Sequence, residues 1–446
     1  MGQIRMEPAN KTPLSIKFET RRHGGQHALT GITVLDLGQA FMGPYCGMLL
    51  QRLGADVVKV EPLQGEPYRR PTARKNTEPM QFGLLNAGKR NLSIDLKNAD
   101  GRRLFIELAS TADVVIQNFA PETFDRLIGV DALLEANPRL VLASGSGYGS
   151  SGPYKSLRAM DLTIQAMSGV MATTGFPDGP PVRTGPSVVD FMGGAHLAAA
   201  VLGALVQRSV TGKGQHVEVA LYDAILPSLA SNIAGYLDTD GEIPERTGNR
   251  HGGLAVSPYN AYKTADGWVA ILCLHDRHWA ALCRVVGRPE LIEDPRFSSP
   301  AARVAHLREV DEVIGDWTAA NPTDDVVEAL NTASVPGAPV KTLKDVINDP
   351  HVVDRGILQH HTGPERDWWT LASPLRLGDS PAPTENSVAG LGEHSAELLS
   401  ERLGLPSDEI EALLASGVIG GGPENLNGGS AVAPRNSLAF ADTADV

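Results

Sequence analysis

Five short β-branched runs alternate with helix-spaced segments up to residue 143, and no other feature limits the fold of this 446-residue chain as strongly. The runs are Gly31–Leu37, Gly54–Glu61, Leu92–Leu96, Asp113–Gln117 and Leu140–Ala143. Each is short, apolar and bounded by Gly, Asn, Asp or Lys, the signature of a buried strand. Between them, Leu49, Leu50 and Leu53, then Leu104, Phe105 and Leu108, then Pro121 to Leu127 follow helical spacing. Parallel strands need crossover helices, so the pattern predicts an α/β fold whose parallel sheet is covered on both faces.

Past Gly145 the pattern changes. Residues 145–153 are rich in Gly and Ser, and residues 175–187 in Gly and Pro; both are expected to be loops. A helix is expected from Asp190 to about Gln207, with the small residues Gly193, Gly194 and Ala198–Ala200. Thr211–Gly214 reads as a turn before a strand from His216 to Leu221. In residues 240–325, Tyr259–Tyr262 and Trp268–Leu272 flank the turn Thr264–Gly267 and predict a hairpin. Helices are expected from about His278 and His306, a further extended stretch at Ala338–Lys341, and a last helix over Ser395–Leu403. The chain accordingly divides into an N-terminal extension (1–28), the first part of a large domain (29–225), and a linker with a small α+β domain (226–334). A return to the large domain (335–419) follows, then a tail (420–446) whose Gly, Asn, Ser and Ala predict disorder.

Several function classes drop out on chemistry. The formal charge of −13 repels phosphate polymers, so nucleic acid is not an expected partner. Cys46, Cys273 and Cys283 form no C-x-x-C pair, which fits a reducing, cytoplasmic setting. No apolar run reads as long enough to span a bilayer; the best, Leu197–Val206, falls short, so no membrane is expected. The first turn, Gly38-Gln-Ala-Phe-Met-Gly43, lacks the G-x-G-x-x-G spacing, so neither nicotinamide nor flavin is expected. No G-x-S-x-G elbow and no H-E-x-x-H or other zinc spacing occurs, so no metal is expected. Gly83-Leu-Leu-Asn-Ala-Gly-Lys89-Arg90 spaces its glycines and lysine as a P-loop does, but Arg90 stands where Ser or Thr would hold magnesium. It reads either as a solvated basic turn or as a metal-free phosphate clamp made by Lys89 and Arg90.

The segment from Gly175 to Gly194 sets Asp190 between a β-branched pair and a helix of small residues. On residue chemistry alone Asp190 reads first as an N-cap that accepts bonds from free amides. A cap can also react: the helix dipole is expected to keep this carboxylate ionised, and nearby glycines leave room for substrate.

With these motifs in hand, the chain resembles the family III CoA-transferases, the group that includes formyl-CoA transferase, carnitine CoA-transferase and the α-methylacyl-CoA racemases. The resemblance runs from about Leu29 to Leu403. It rests on Val34-Leu-Asp-Leu with Gly43-Pro44, Gly54–Glu61, Gly88-Lys-Arg90, Asn118-Phe-Ala-Pro121 with Arg126, and Asn137-Pro-Arg-Leu140. Gly212-Lys-Gly-Gln215, the loop through Asp190 and Leu391-Gly-Glu-His394 complete it. The resemblance implies a Rossmann-like large domain, a smaller domain, and two subunits threaded through each other as an intertwined homodimer. It implies coenzyme A or acyl-CoA as substrate and Asp190 as the catalytic aspartate. Coenzyme A contacts map onto Gln39, Ala40, Phe41, Met42, Ile94, Lys97, Asn118, Phe119, Arg126, Arg158, Met160 and Asp161.

The family holds racemases and transferases. Racemases pair their aspartate with a histidine in a Gly-His-Asp stretch; here Met160 stands before Asp161, and methionine cannot carry a proton. Transfer is therefore expected, from an acyl-CoA to a short carboxylic acid, with aspartyl anhydride and aspartyl-CoA thioester intermediates. The run Met160–Gly169 and Gly248-Asn-Arg-His251 resemble the oxalate and dicarboxylate branch, with Arg183, Arg250, Gly252 and Gly253 as carboxylate contacts. The poly-Gly loop of formyl-CoA transferase is reduced here to Gly252 and Gly253. A racemase or isomerase, and a non-catalytic CoA-binding protein with Asp190 only as a cap, are the alternatives.

Overall fold

A computed structural model describes residues 26–70, 80–362, 367–381 and 387–421. The expected N-terminal extension up to residue 25, and the expected tail from residue 422, lie outside the described residues. Twelve strands form among the described residues. They are β1 (Thr33–Asp36), β2 (Asp56–Glu61), β3 (Arg90–Ile94), β4 (Val114–Gln117), β5 (Val141–Ser146) and β6 (Gln215–Ala220). The others are β7 (Tyr259–Lys263), β8 (Trp268–Leu272), β9 (Gly337–Pro339), β10 (Leu358–His361), β11 (Trp368–Leu371) and β12 (Ile419–Gly420).

Strands β1 to β6 run parallel in the order β3-β2-β1-β4-β5-β6, and β12 pairs antiparallel with the β3 edge. Side chains alternate along each strand, so each strand feeds two cores. Val34, Val57, Val114, Ile116 and Val141 pack with helices Met42–Arg52 and Val188–Thr211. Leu35, Val58, Val60, Val115 and Leu142 pack on the other face with helices Ala99–Ser110, Ser395–Leu403 and Ser407–Ala415. Strand order reverses between β1 and β4, and in open α/β sheets ligands sit beyond the carboxyl ends at that point.

Two expectations need correction. The helix after the Gly/Pro loop covers Val188–Thr211, four residues further than Gln207, and is long and apolar enough to cross a membrane. It instead lies along the sheet: Leu197, Ala198, Val201 and Ala204 are buried there, and Arg208 pairs with Asp113 at 2.8 Å. The return to the large domain does not begin at residue 335. Val335 joins the small core with Tyr262, Val269, Trp279 and Val310, and β9 pairs antiparallel with β8. The three-stranded sheet β7-β8-β9 thereby satisfies an edge of β8 that a two-stranded hairpin would leave open.

Buried charges sit under the first turn. The Lys89 ammonium donates to Asp36 Oδ2 (2.8 Å), Pro44 O (2.8 Å) and Asn86 Oδ1 (2.9 Å), which uses all three of its protons. Both side chains of the Lys89–Asp36 pair are 0% exposed. Burial pushes the Lys89 pKa down and Asp36 opposes that push. The phosphate-clamp reading of Lys89 is thus corrected: its charge is spent inside the protein. Arg90 is corrected likewise. It lies at the amino end of β3, the end away from the ligand-binding edge, and pairs with Asp56 (2.5 Å), Glu401 (2.7 Å) and Glu397 (3.3 Å).

Removing one partner of a buried pair leaves the other charge uncompensated, at a cost of about 3–5 kcal/mol. Lys89→Ala is therefore expected to lower the denaturation midpoint strongly at pH 7, read by thermal or denaturant unfolding; a midpoint equal to that of wild type would overturn the buried-pair reading.

Candidate active site

The loop after β1 is built by groups on three strands. Asp36 Oδ1 accepts from Gly38 N at 2.8 Å, and the Lys59 ammonium donates to Gly38 O. Asn118, just past β4, accepts from Gln39 N (2.7 Å) and donates to Gln39 O (3.0 Å). Glycine is required at Gly38 and Gly43, since a Cβ on either would fall within 2.6 Å of the other's Cα. Ala40 then takes a left-handed conformation, φ 60°, which costs a residue with a Cβ about 1 kcal/mol. The surrounding bonds hold this turn open at the sheet's switch point.

A cavity of about 250 Å³ lies there, lined among others by Gln39, Ile94, Lys97 and Phe119 from the expected coenzyme A set. A second cavity of about 280 Å³ is lined by Arg126, Arg158 and Ser156, with Ala120 to Thr123. Lys97, Arg126 and Arg158 are exposed at these cavities, as cations that meet a polyanion must be. Ala40, Phe41 and Asn118 frame the turn. Met42 does not: its side chain is buried in the core, against Gly145, Gly193 and Gly194. Met42 is therefore corrected from ligand contact to the floor beneath the turn.

Asp190 is corrected too. It is not the N-cap of its helix; it is the third helical residue, and the cap position is Ser187. The free amides of Val189 and Asp190 are taken by Asp161 Oδ2, at 3.0 and 3.3 Å. Asp161 Oδ1 accepts from Gln165 Nε2 at 2.5 Å. Asp161 thus caps the long helix from a neighbouring one. Met160, beside it, is 59% exposed.

This division frees the Asp190 carboxylate. Among the described residues no donor bonds it, and burial together with the Asp161 charge pushes its pKa up to about 7. The expectation that the helix dipole keeps it ionised is overturned, because desolvation and a like charge outweigh the dipole. Aromatic rings wall the site: Phe41 lies 5.2 Å from Tyr68 and 5.9 Å from Phe191, and Tyr45 lies 4.9 Å from Phe191. Tyr68 faces the Asp190 charge closely enough that its own pKa rises, burial being the larger cause.

The expected carboxylate contacts are engaged elsewhere. Arg183 donates to Thr184 O (2.9 Å) and Gly185 O (2.8 Å) of its own loop. Arg250 pairs with Asp311, at 2.6 Å. Gly252 and Gly253 press onto Asn232 and Ser231, where a Cβ would clash.

Sequence reasoning missed Lys59, Glu66, Tyr68 and Arg70. Lys59 and Glu66, each 2% exposed, form a buried pair at 3.2 Å, and both line the cavity at the switch point with Arg70. The signal for Lys59 was present: a lysine inside the apolar run of β2 has to be paired.

Comparisons with known proteins bear on this arrangement of a half-buried carboxylate, a turn at the switch point and cation-lined cavities. The profile of "CoA-transferase family III" matches residues 29–395. A formyl-CoA:oxalate CoA-transferase of Streptomyces coelicolor is 37% identical over 411 residues, covering 88% of this chain and 99% of that relative. A succinyl-CoA:mesaconate CoA-transferase of Haloarcula hispanica is 37% identical over 398 residues, covering 86% and 99%. The crystal structure of a CAIB/BAIF family protein from Brucella suis superposes with a TM-score of 0.74 at 32% identity, covering 85% of this chain and all of that one. The chain belongs to the CoA-transferase family III and is a CoA-transferase.

Proposed function

We propose that this enzyme moves CoA from an acyl-CoA to a short carboxylic acid, a dicarboxylate by preference, with Asp190 as nucleophile. The observation that carries this reading is the state of Asp190. Relieved of capping by Asp161, it is an unpartnered, half-buried carboxylate with its pKa at about 7. A raised pKa makes the ionised form a stronger nucleophile while leaving it populated at neutral pH.

The reaction balances as four acyl exchanges. An Asp190 oxygen attacks the thioester carbonyl, the C–S bond breaks, and CoA thiolate leaves a mixed anhydride. The thiolate attacks Asp190 Cγ and expels the donor carboxylate, which gives an aspartyl-CoA thioester. The acceptor carboxylate attacks the same carbon and releases the thiolate. That thiolate then attacks the acceptor's activated carbonyl, and Asp190 returns as a carboxylate. A serine nucleophile would give an ordinary ester and lose the thioester's driving force. Backbone amides of the glycine-rich turns are suited to the oxyanions. Racemisation would need a second base, and Met160 supplies none.

Relatives named for oxalate, mesaconate and glutarate support the dicarboxylate preference. With Arg183 and Arg250 engaged elsewhere, the acceptor's second carboxylate is read by groups near Tyr68 and Arg70 in this reading. The enzyme works in this reading as an intertwined homodimer in the cytoplasm, supported by three buried thiols and by exposed apolar side chains. Val206, Val210, Tyr236 and Leu237 are each more than half exposed in the single chain, a surface suited to a second copy. Sedimentation at nanomolar concentration is expected to show a dimer and no folded monomer; a folded monomer would end this part of the reading.

Asp190→Asn is expected to stay folded and to lose transfer by orders of magnitude. With acyl-CoA alone, wild type is expected to accumulate a hydroxylamine-sensitive adduct on the Asp190 peptide, read by mass spectrometry. Activity is expected to fall as pH drops through about 7, where Asp190 protonates. Stability runs the opposite way. A carboxyl whose folded pKa exceeds its unfolded value adds stability below the ordinary carboxylate range, and this is lost as pH rises through about 7. Asp190→Asn is thus expected to exceed wild type by about 1–3 kcal/mol at pH 8 and to match it near pH 4. A folded, active Asp190→Asn enzyme sinks the proposal.

Lys97, Arg126 and Arg158 are proposed to meet the coenzyme A phosphates, given their exposure at the two cavities. Each change to Ala is expected to weaken coenzyme A by about 1–3 kcal/mol, measured by calorimetry at fixed salt. Unchanged affinity in all three variants would remove the assignment.

A further inference from the structure

One carboxylate far from Asp190 in sequence gathers four donors. Asp311, on helix Leu307–Ala319 of the small module, accepts from Arg250 Nε (2.8 Å), Arg250 Nη2 (2.6 Å), Asn260 Nδ2 (3.1 Å) and Tyr262 Oη (2.7 Å). Asn260 and Tyr262 belong to β7, so two of the three partner residues are fixed parts of the small module, and Arg250 is the one that comes from outside its sheet and helices. The arginine approaches through two nitrogens, a geometry that restricts direction as well as distance.

Arg250 belongs to a loop that is stitched to the segment before Asp190. Thr247 Oγ1 donates to Arg250 O (3.0 Å), and Gly248 N donates to Gly175 O (3.0 Å). Arg246 donates to Phe176 O (3.3 Å) and Ala172 O (3.2 Å). Gly248 lies under the Phe176 ring at φ +66°, where a Cβ would come within 2.9 Å of the ring. From there the chain of bonds continues toward the nucleophile. Thr184 N donates to Gln165 Oε1 (2.9 Å), Gln165 Nε2 donates to Asp161, and Asp161 holds the amides of Val189 and Asp190. Gln165 is fully buried, so this relay is not loosened by solvent.

We propose that the Arg250–Asp311 pair is a latch that anchors the 172–187 segment to the small module and thereby holds Asp190 in reactive position. Arg250 and Asp311 are positioning residues: they act through the segment and touch neither coenzyme A cavity. The inference rests on Asp190 as the nucleophile. Misplacing a reacting group by an ångström costs up to about a hundredfold in rate, so the latch is read in turnover and not in coenzyme A affinity.

The test uses the full-length enzyme with Asp311→Asn, which keeps shape and one acceptor, and Arg250→Lys, which keeps charge but loses the two-nitrogen approach. Arg246→Met cuts the next link without touching the small module. Each variant is expected to lose about ten- to a hundredfold in kcat. Coenzyme A dissociation constants are expected to stay within about twofold of wild type. Hydrogen exchange of the 172–187 peptide is expected to accelerate, while peptides of β1 to β5 exchange as in wild type. Variants that fold with wild-type kcat and unchanged exchange overturn the latch. If Asp311→Asn unfolds, Arg246→Met decides alone, by the same two readings. Exchange is independent of turnover, so a wild-type enzyme with no transfer activity would refute the nucleophile while the exchange comparison still decides the latch.

Discussion

Everything at the candidate site hangs on a set of charges buried beneath the loop that follows β1. Asp36 holds Gly38 by its amide, Lys59 holds the same residue by its carbonyl, and Lys89 neutralises Asp36 from below. A buried charge is tolerable only when paired and hydrogen-bonded, so each of these groups dictates where the next must lie. The result is a turn that cannot relax: Gly38 and Gly43 touch backbone to backbone, and Ala40 is kept left-handed. The turn stands at the point where strand order reverses, and a cavity lined by Gly38 and Gln39 opens there. What resembles a phosphate-binding loop at Gly83–Lys89 is the far side of this support.

A second division of labour governs reactivity. Two aspartates meet at the start of the long helix, and only one can serve its free amides. Asp161 does so, with Gln165 fixing its other oxygen, and Asp190 is left without a donor. A carboxylate that capped the helix would be stabilised as an anion and would be a poor nucleophile. The same desolvation that raises its pKa also lowers the stability of the folded chain above neutral pH. The fold thus keeps a destabilised carboxylate at the start of its long helix, the group proposed here as nucleophile.

The fold was largely legible from periodicity. The five expected strands up to residue 143 all formed, within a few residues of their ends, because alternation and crossover spacing are local properties. Helix Ser407–Ala415 and the edge strand β12 went unseen, since Gly417 and Gly420 mask a two-residue strand whose partner is β3, more than three hundred positions away. The site was legible in part. Gln39, Ile94, Lys97 and Phe119 were expected through family resemblance and do line one cavity. Lys89, Arg90, Asp161 and Arg250 were expected as ligand contacts, and only their neighbours in the fold reveal the protein groups that each also bonds.

What the sequence determined by itself is the order of elements and the family, because these rest on patterns within a few residues of one another. Only the tertiary structure decided which charges are free. Lys89 meets Asp36 across 53 positions, Arg250 meets Asp311 across 61, and Asp161 meets the amide of Asp190 across 29. Pairing energies depend on distance and burial, and neither exists along an unfolded chain. The raised pKa of Asp190 is therefore a property of the fold, set by burial that withholds water and by the neighbouring charge of Asp161, which takes the helix cap.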